Sequence, residues 1–274
     1  MEKEKSNSIL LEEKNRAKEQ RHLLLLSCLS VAVFLLLWQM AVSFAWVNPK
    51  YVAGPIDVVK LFFQKFTDPK PDGALIQTHI WTSLLLVFRG YLTAVVIGVP
   101  LGLLLGYYHT LDKLLTPIFE ILRPIPPIAW IPLSVVWMGI GSTAKSFIIF
   151  VASFVPCVIN SYTGIKLTAP VMINVAKTCG ASRWRVFTTV CIPAAMPMTF
   201  TGIRVAIGNA WSTLVAAEML ASSSGLGYMI QQGRTLGRSD VIIVAMVTIG
   251  VIGALLLWVL DRVEAVVLKW RPKK

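Results

Sequence analysis

Charged residues are scarce in this sequence, and their scarcity excludes an ordinary soluble protein. Only 15% of the 274 residues are Asp, Glu, Lys or Arg, whereas 55% are hydrophobic and the mean hydropathy is +0.69. Soluble domains carry roughly a quarter charged residues and lack repeated apolar runs of about 20 residues. The composition therefore predicts an integral membrane protein with a single membrane domain.

Side chains that perform catalysis or bind metal are also few. The sequence has 3 His and 4 Cys, without a Cys-x-x-Cys pair. His22, His79 and His109 lie at or near the ends of apolar segments and share no metal-ligand spacing. A membrane enzyme would need a nucleophile with a base, or a metal cluster. We therefore expect free thiols, no metal site and no catalytic residues.

An excess of basic residues gives the chain a formal net charge of +12 at pH 7. These residues lie beside apolar segments, and no basic stretch is interleaved with the aromatics that stack on nucleic acids. Basic residues typically flank the cytoplasmic ends of membrane spans, so the pattern indicates topology and contact with membrane lipid. We expect no nucleic-acid partner.

Six apolar segments are long enough to cross a bilayer, which takes about 20 residues per helix. The first exceeds the apolar core of about 7 to 15 residues that marks a secretory signal, so we expect it to be retained. Basic residues flank the first and last segments, which predicts that both termini are cytoplasmic. The predicted spans are 23–47, 82–107, 115–140, 145–165, 195–220 and 241–263.

The polar segments complete the predicted domain organisation. Residues 1–22 carry many charges of both signs and predict a solvated or interfacial cytoplasmic tail. Residues 264–274 form a second cytoplasmic tail, and residues 23–263 form the transmembrane domain between them. Two polar segments are expected outside the cell, 48–80 and 221–240.

Two spans contain residues that are unusual in a straight, uniform helix. In the second span, Gly98, Gly102 and Gly106 leave a stripe of bare backbone where a neighbouring helix can approach closely. In the third span, four prolines each remove a backbone donor and disfavour helix at the preceding residue. The third span is therefore broken, and the break either lines the translocation pathway or is a structural kink. The prolines are Pro124, Pro126, Pro127 and Pro132.

The segment 139–146, GIGSTAKS, differs by one residue from a phosphate-binding P-loop, because Ala144 replaces the second glycine. A functional P-loop follows a buried strand and opens a helix in water. This segment joins two apolar spans, so we expect no nucleotide to bind there.

The fifth span contains polar and charged residues that are costly in lipid. Arg204, Trp211 and Glu218 recur at helical spacing on one face, which indicates the bundle interior or a water-filled path. Alternatively, Arg204 and Glu218 reach the membrane surfaces or form packing pairs. Glu218 would repel an anionic solute, so a role in gating or in a contact with a neighbouring helix is favoured for this residue. Arg204 has the charge that suits an anion. The predicted pathway residues are Trp130, Arg204, Asn209, Trp211, Ser212 and Glu218.

A polar loop at 174–193, NVAKTCGASRWRVFTTVCIP, interrupts the apolar second half. It predicts a helix from Asn174 to Cys179, a turn at Gly180 in the left-handed conformation, and a second helix capped by Ser182. We expect the second helix to run from Arg183 to about residue 190 and Pro193 to stop it. This short helical projection is a shape that another protein could bind.

The spacing of Ala176, Gly180, Val190, Ile192 and Pro193 resembles the cytoplasmic "EAA" loop of ABC importer permeases. Four positions depart from that pattern: Asn174 replaces the usual Glu, Val175 replaces the first Ala, and Val190 and Ile192 conservatively replace Ile and Leu. The stretches 122–141 and 201–220 resemble more narrowly the permeases for taurine, other sulfonates, nitrate and bicarbonate, and the taurine type most.

The resemblance implies an all-α fold, the six-transmembrane-helix type I ABC importer permease, in the inner (plasma) membrane. It implies two ABC ATPase subunits, a second permease copy in a homodimer, and a periplasmic or lipid-anchored solute-binding protein. The chain itself would hold no ATPase site and no cofactor, since ATP is bound by the partner subunits. The coupling loop, 166–194, would contact the ATPase through Asn174, Val175, Ala176, Thr178, Gly180, Ala181, Ser182, Arg183 and Pro193.

The same resemblance implies transport by alternating access. The solute would be a small anion, with taurine or another sulfonate first and nitrate, bicarbonate or another small organic solute as alternatives. A secondary transporter would show paired repeats and several midplane carboxylates. Only Glu218 is a convincing intramembrane carboxylate in the second half, which argues against ion coupling.

The predicted topology can be tested by labelling single cysteines in intact cells with a membrane-impermeant reagent. We expect a cysteine at Ser223 to react, because 221–240 lies outside, and a cysteine at Ser182 to remain unlabelled. The reverse pattern would contradict both the topology and the cytoplasmic position of the loop.

Overall fold

The computed structural model describes residues 2–44, 46, 48 and 51–269, and all regular elements within them are helices. A 3₁₀ turn at Pro127–Trp130 precedes α5, and a π-helical turn at Phe187–Cys191 joins α8 to α9. The α-helices are α1 Glu2–Ser43, α2 Pro55–Gln64, α3 Ile76–Tyr107, α4 His109–Leu122, α5 Ile131–Met138, α6 Ser142–Lys166, α7 Pro170–Thr178, α8 Arg183–Val186, α9 Ile192–Ala221, α10 Leu226–Thr235 and α11 Ser239–Val267.

Five stretches of helix in the described residues are long and apolar enough to cross a membrane: 25–43 of α1, α3, α6, 183–220 and α11. The pair α4 and 127–138 adds a sixth if it is one bent span. The all-helical architecture agrees with the predicted fold. Several boundaries differ: α1 is unbroken from Glu2 and ends at Ser43, and α3 begins at Ile76. Within the predicted segments, residues 1, 45, 47, 49, 50 and 270–274 lie outside the described part.

Helices α3, α6 and α9 form the centre of the bundle, and α3 packs against α6 through its glycine stripe. A Cβ atom at Gly102 would lie 2.3 Å from the Val158 carbonyl oxygen, and one at Gly106 would lie 2.7 Å from the Ile165 Cβ. Such distances leave no room for a side chain. The predicted close approach along this stripe is therefore confirmed, and Gly90 extends it toward the start of α3.

The proline cluster breaks the third span, as predicted. The axes of α4 and 127–138 differ by 87°. Pro124, Pro126 and Pro127 remove three donors within four positions and disfavour helix at the residues before them, so the helix ends at Leu122. Pro132 lies in the first turn of α5. A backbone N–H there has no helical partner, so its absence costs no hydrogen bond.

The prediction that Pro193 stops the second loop helix is wrong. The chain stays helical from Arg183 to Leu220, and Pro193 lies in the first turn of α9. A proline inside a regular α-helix clashes with the carbonyl four residues earlier. The turn Phe187–Cys191 immediately before it is π-helical, and the Ile192 N–H donates to the Phe187 carbonyl, so the regular α-helical spacing is interrupted where the proline ring enters. The first loop helix is also longer than predicted, since α7 begins at Pro170.

The glycine stripe generates a stability prediction. We expect Gly102→Ala to lower the free energy of unfolding by about 1–3 kcal/mol, because the new methyl group meets the backbone of α6. Gly250→Ala in α11 is the matched control, since nothing lies within 4 Å of its Cβ position. It should be neutral or stabilising by up to about 1 kcal/mol. Thermal unfolding in detergent measures both, and equal melting temperatures would contradict the packing account.

Candidate functional site

The predicted coupling loop forms a helix, a turn and a helix at the end of the bundle where α6 ends and α9 begins. Gly180 has φ +78°, and the Ala181 N–H donates to the Ala176 carbonyl at 3.0 Å, which closes the end of α7. The Ser182 Oγ accepts from the Arg185 N–H at 3.3 Å and caps α8. The predicted roles of Gly180 in the turn and Ser182 in the cap are therefore confirmed.

The loop has an inner face that packs on the bundle and an outer face that is exposed. Ala176 and Ala181 pack against a cluster built around Phe187 and Ile165. The structure places the remaining predicted loop residues outward, and Pro193 lies beyond the π-helical turn in α9. The exposed loop residues predicted from the sequence are Asn174, Val175, Thr178, Gly180, Ser182 and Arg183.

Sequence reasoning missed the apolar part of that exposed face. Val171, Met172 and Trp184 are exposed together with Val175, and Trp184 is 60% exposed. These side chains would ordinarily be buried, so a polar loop that presents them is typical of a protein interface. The signal was present in the sequence as apolar residues inside a polar loop, but only the structure shows that they point away from the bundle.

A second region, the central cavity, lies between the proline break, α6 and α9, with a volume of about 470 Å³. Two predicted pathway residues, Trp130 and Asn209, line it. Arg123 also lines it, is exposed, and is the single charged residue among its described lining residues. Arg123 is not among the residues predicted from the sequence, because the neighbouring prolines indicate only a break in the backbone.

The other predicted pathway residues of α9 contact helices or their own backbone. Arg204 forms an ion pair with Asp261 of α11 and lies 2.7 Å from Glu264. The Trp211 Nε1–H donates to the Ile249 carbonyl of α11 at 3.0 Å, and the Ser212 hydroxyl donates to the Gly208 carbonyl. The structure thus does not bring these three residues to the central cavity. For Arg204 it agrees with the alternative given above, in which the residue forms a packing pair with a neighbouring helix.

Glu218 lies at the opposite end of α9, fully buried against α3 and α10. Its carboxylate accepts from the Ser83 hydroxyl at 2.8 Å and from the Gly227 N–H at 2.8 Å. The Leu226 N–H donates to Ser83, and the Gly225 N–H donates to His79 Nδ1 at 3.0 Å. We call Glu218, Ser83, His79 and 225–227 the Glu218 cluster. The side chains of this cluster hold the turn that begins α10, because they accept hydrogen bonds from three consecutive backbone N–H groups.

A buried ion pair supports this cluster from the loop before α3. His79 Nε2 lies 3.3 Å from Asp72 Oδ2, and Asp72 pairs with Lys65. Lys65 also donates to the Ala74 carbonyl at 2.6 Å. Burial alone would raise the pKa of Asp72, but the neighbouring His79 and Lys65 outweigh it and hold that pKa below its ordinary value. The carboxylate is therefore ionised at neutral pH and lies beside the His79 ring.

Within the part of the chain that the structure describes, no group of three or more His, Cys, Asp or Glu is placed to hold a metal ion. The segment 139–146 joins α5 to α6, and Lys145 is buried with its amine 2.8 Å from the Ser222 hydroxyl. This lysine therefore ties α6 to the end of α9.

Comparison with known proteins places these features in context. Residues 98–270 match the family model described as binding-protein-dependent transport system inner membrane component. An ABC transporter permease protein of Methanocaldococcus jannaschii is 41% identical over 82% of this chain and 84% of its own. The taurine transport system permease protein of Escherichia coli is 36% identical over 84% of both chains. The nitrate import permease protein of Leptolyngbya laminosa is 35% identical over 83% of this chain and 82% of its own.

A solved structure shares the fold. An inward-facing conformation of a methionine ABC transporter superposes with a TM-score of 0.61, covering 69% of this chain and 94% of that chain at 21% identity. At this identity the likeness concerns the fold.

The Glu218 cluster generates a second prediction. Replacing Glu218 by Ala leaves buried donors of Ser83 and Gly227 unpaired, so we expect a loss of about 1–3 kcal/mol in stability. Glu264→Ala removes an exposed ion-pair partner of Arg204 and should cost at most about 1 kcal/mol. Melting temperature and tryptic cleavage at Arg234 in α10 report the difference. Equal stability and equal cleavage would show that the cluster does not hold α10.

Proposed function

Because the chain belongs to the family of binding-protein-dependent transport system inner membrane components, we propose that it is the permease of an ATP-driven importer whose solute is taurine or another sulfonate. The observation that carries the solute class is the central cavity, whose one charged lining residue among those described is Arg123. A cavity with a cation and without a described carboxylate favours a small anion over a cation.

The relatives support an anionic group as the common feature of the solute. They carry names for taurine, nitrate and bicarbonate transport, and each of these solutes has a delocalised oxyanion group. A guanidinium offers planar paired donors to such oxygens. Asn209 and Trp130 also line the cavity and add a polar and an aromatic surface. A few weak contacts of this kind suit transport, because a solute in transit must also be released.

The exposed face of the coupling loop supports docking of an ATPase subunit, and we propose that two permease copies each bind one. Val175 and Trp184 supply apolar contact area, and Arg183 and Asn174 supply a polar rim. In this proposal the loop lies in the cytoplasm, and the opposite end of the bundle, with α2 and α10, faces a solute-binding protein. ATP-driven closure of the ATPases moves the loops, and the loops move α9.

The conformation of Gly180 generates a test of coupling. No atom lies within 4 Å of its Cβ position, so an added Cβ atom meets no neighbour and the expected cost comes from the left-handed backbone conformation. Gly180→Leu should cost about 1–2 kcal/mol and weaken retention of the ATPase by a factor of about 5–30. Gly180→Asn is the matched control, since Asn tolerates this conformation, and it should retain the ATPase.

Copurification with the tagged permease and ATP-driven uptake are the two measurements for these variants. If Gly180→Leu holds its ATPase and transports as the unchanged protein does, the coupling role of the loop is wrong.

The central cavity generates a test of solute class in reconstituted complexes supplied with binding protein. We expect Arg123→Gln to lower uptake of taurine at least about tenfold, because a charge-assisted contact is lost, while the complex still assembles. Arg123→Lys should recover part of the rate. Arg262→Gln is the control, since Arg262 lies over the Trp258 ring of α11, away from the cavity lining.

Competition by nitrate, bicarbonate and other sulfonates in the same vesicles ranks the alternative solutes. Uptake that is unchanged in Arg123→Gln would remove Arg123 from the pathway. Uptake of a cation, with no competition by any of these anions, would overturn the proposed solute class.

A further inference from the structure

The short helix α2 has an apolar face that no described residue covers. Ile56, Val59 and Phe63 recur at helical spacing along one side of α2, and each is more than half exposed, Phe63 by 67%. Residues 48–80 are predicted to lie outside the membrane, yet apolar side chains gain free energy only when they leave water. A row of exposed apolar side chains therefore indicates a contact with a partner.

The other two sides of α2 meet different surroundings. Val58 and Leu61 are buried and pack in a cluster with residues at the start of α11. Asp57, Lys60 and Gln64 form a polar side and are exposed. Successive residues of a helix differ by about 100°, so the buried, polar and apolar sides occupy three separate sectors of α2. This pattern is typical of a helix that borders protein, water and hydrocarbon at once.

The level of α2 along the bundle agrees with such a boundary. The Ile56 N–H donates to Gln39 Oε1 at 3.3 Å, and Gln39 lies four residues, or about 6 Å, before the end of α1 at Ser43. Val241 and Ala245, which belong to the cluster around α2, lie in the first two turns of α11. Both α1 and α11 contain apolar stretches long enough to cross a membrane. Because α2 packs beside the ends of these spans, it lies at the boundary between hydrocarbon and headgroups.

Exposed aromatic side chains accumulate at this end of the bundle. Trp46 and Tyr51 follow α1, Phe66 follows α2, and Trp81 lies in the second turn of α3. All four side chains are exposed. Trp and Tyr are enriched at the membrane–water interface, where the ring contacts lipid and the polar group reaches water. These aromatics favour lipid as the neighbour of the apolar face of α2.

Contacts at both ends of α2 hold the helix in this orientation. Gly54, immediately before α2, packs beside Gln39 of α1, because a Cβ atom there would lie 3.1 Å from Gln39 Oε1. At the other end, the Ile76 N–H of α3 donates to the Lys65 carbonyl at 3.0 Å. Together with the cluster on α11, these contacts attach α2 to three membrane spans. The apolar face therefore points away from the bundle.

We propose that α2 is an interfacial helix whose apolar face, Ile56, Val59 and Phe63, inserts among the lipid acyl chains of the leaflet opposite the coupling loop. Most residues of α1 from 25 to 43 are also exposed, and α1 lies beside the start of α2, so the lipid-facing surface of the span continues onto α2. The polar side of α2 faces water. The lipid contact holds the ends of α1, α3 and α11 at one depth in the membrane.

Collisions of a nitroxide spin label with two relaxing agents test this inference without any transport measurement. The full-length chain is purified with its associated subunits and placed in phosphatidylcholine nanodiscs. Oxygen concentrates in the bilayer and a nickel chelate stays in water, so the ratio of the two collision rates reports the depth of the label. The exposed native thiols are first removed by Cys28→Ser and Cys179→Ser. The melting temperature of each labelled variant shows that it is folded.

We expect Val59→Cys and Phe63→Cys to place the label about 5–10 Å below the lipid phosphates, with frequent oxygen collisions and rare nickel collisions. Lys60→Cys and Gln64→Cys are the matched controls, because each lies one residue further along on the polar side, and their labels should collide freely with nickel. Equal nickel collision rates at all four positions would place the apolar face in water and overturn the proposal. Protection of Val59→Cys and Phe63→Cys from both agents would also overturn it, because a second copy or another protein would then cover the face.

Discussion

A buried backbone N–H or C=O needs a hydrogen-bond partner, and this requirement decides where the chain can leave the helical conformation. Between α9 and α10 the N–H groups of 225–227 are paired by His79, Ser83 and Glu218. At Pro193 the π-helical turn keeps the chain helical around a residue that lacks an N–H. At the third span, prolines that need no donor partner make the break. The polar side chains within the bundle therefore act mainly as hydrogen-bond partners for buried backbone groups.

The centre of the bundle depends on small residues for a related reason. Lipid chains are as apolar as leucine, so helices associate in a membrane through close packing and hydrogen bonds. Gly102 meets the backbone of α6, and Gly164 meets Ala195 of α9, where a Cβ atom would lie 2.8 Å from a carbonyl oxygen. These contacts hold α6 between α3 and α9. The packed helices in turn support the central cavity and the coupling loop.

The arrangement of charge separates structural from functional groups. Arg204 faces two carboxylates of α11, and Lys65 faces Asp72, so these cations are neutralised within the protein. Arg123 and Lys177 have no such partner among the described residues and border open space. A cation that borders a cavity without a carboxylate is available to a ligand, which is why the central cavity, and not the polar face of α9, carries the solute proposal.

The sequence by itself determined the class of fold, the break in the third span, the glycine stripe and the turn at Gly180, because each depends on local chemistry. The length of an apolar segment, the missing N–H of a proline and the conformational freedom of a glycine are all properties of neighbouring residues in the chain. Only the tertiary structure decided which neighbour each polar side chain meets. Glu218 belongs with Ser83, distant along the chain, and Arg123 reaches a cavity formed by three separate helices. Helical spacing assigns a residue to a face, but the packing of other helices determines what that face contacts.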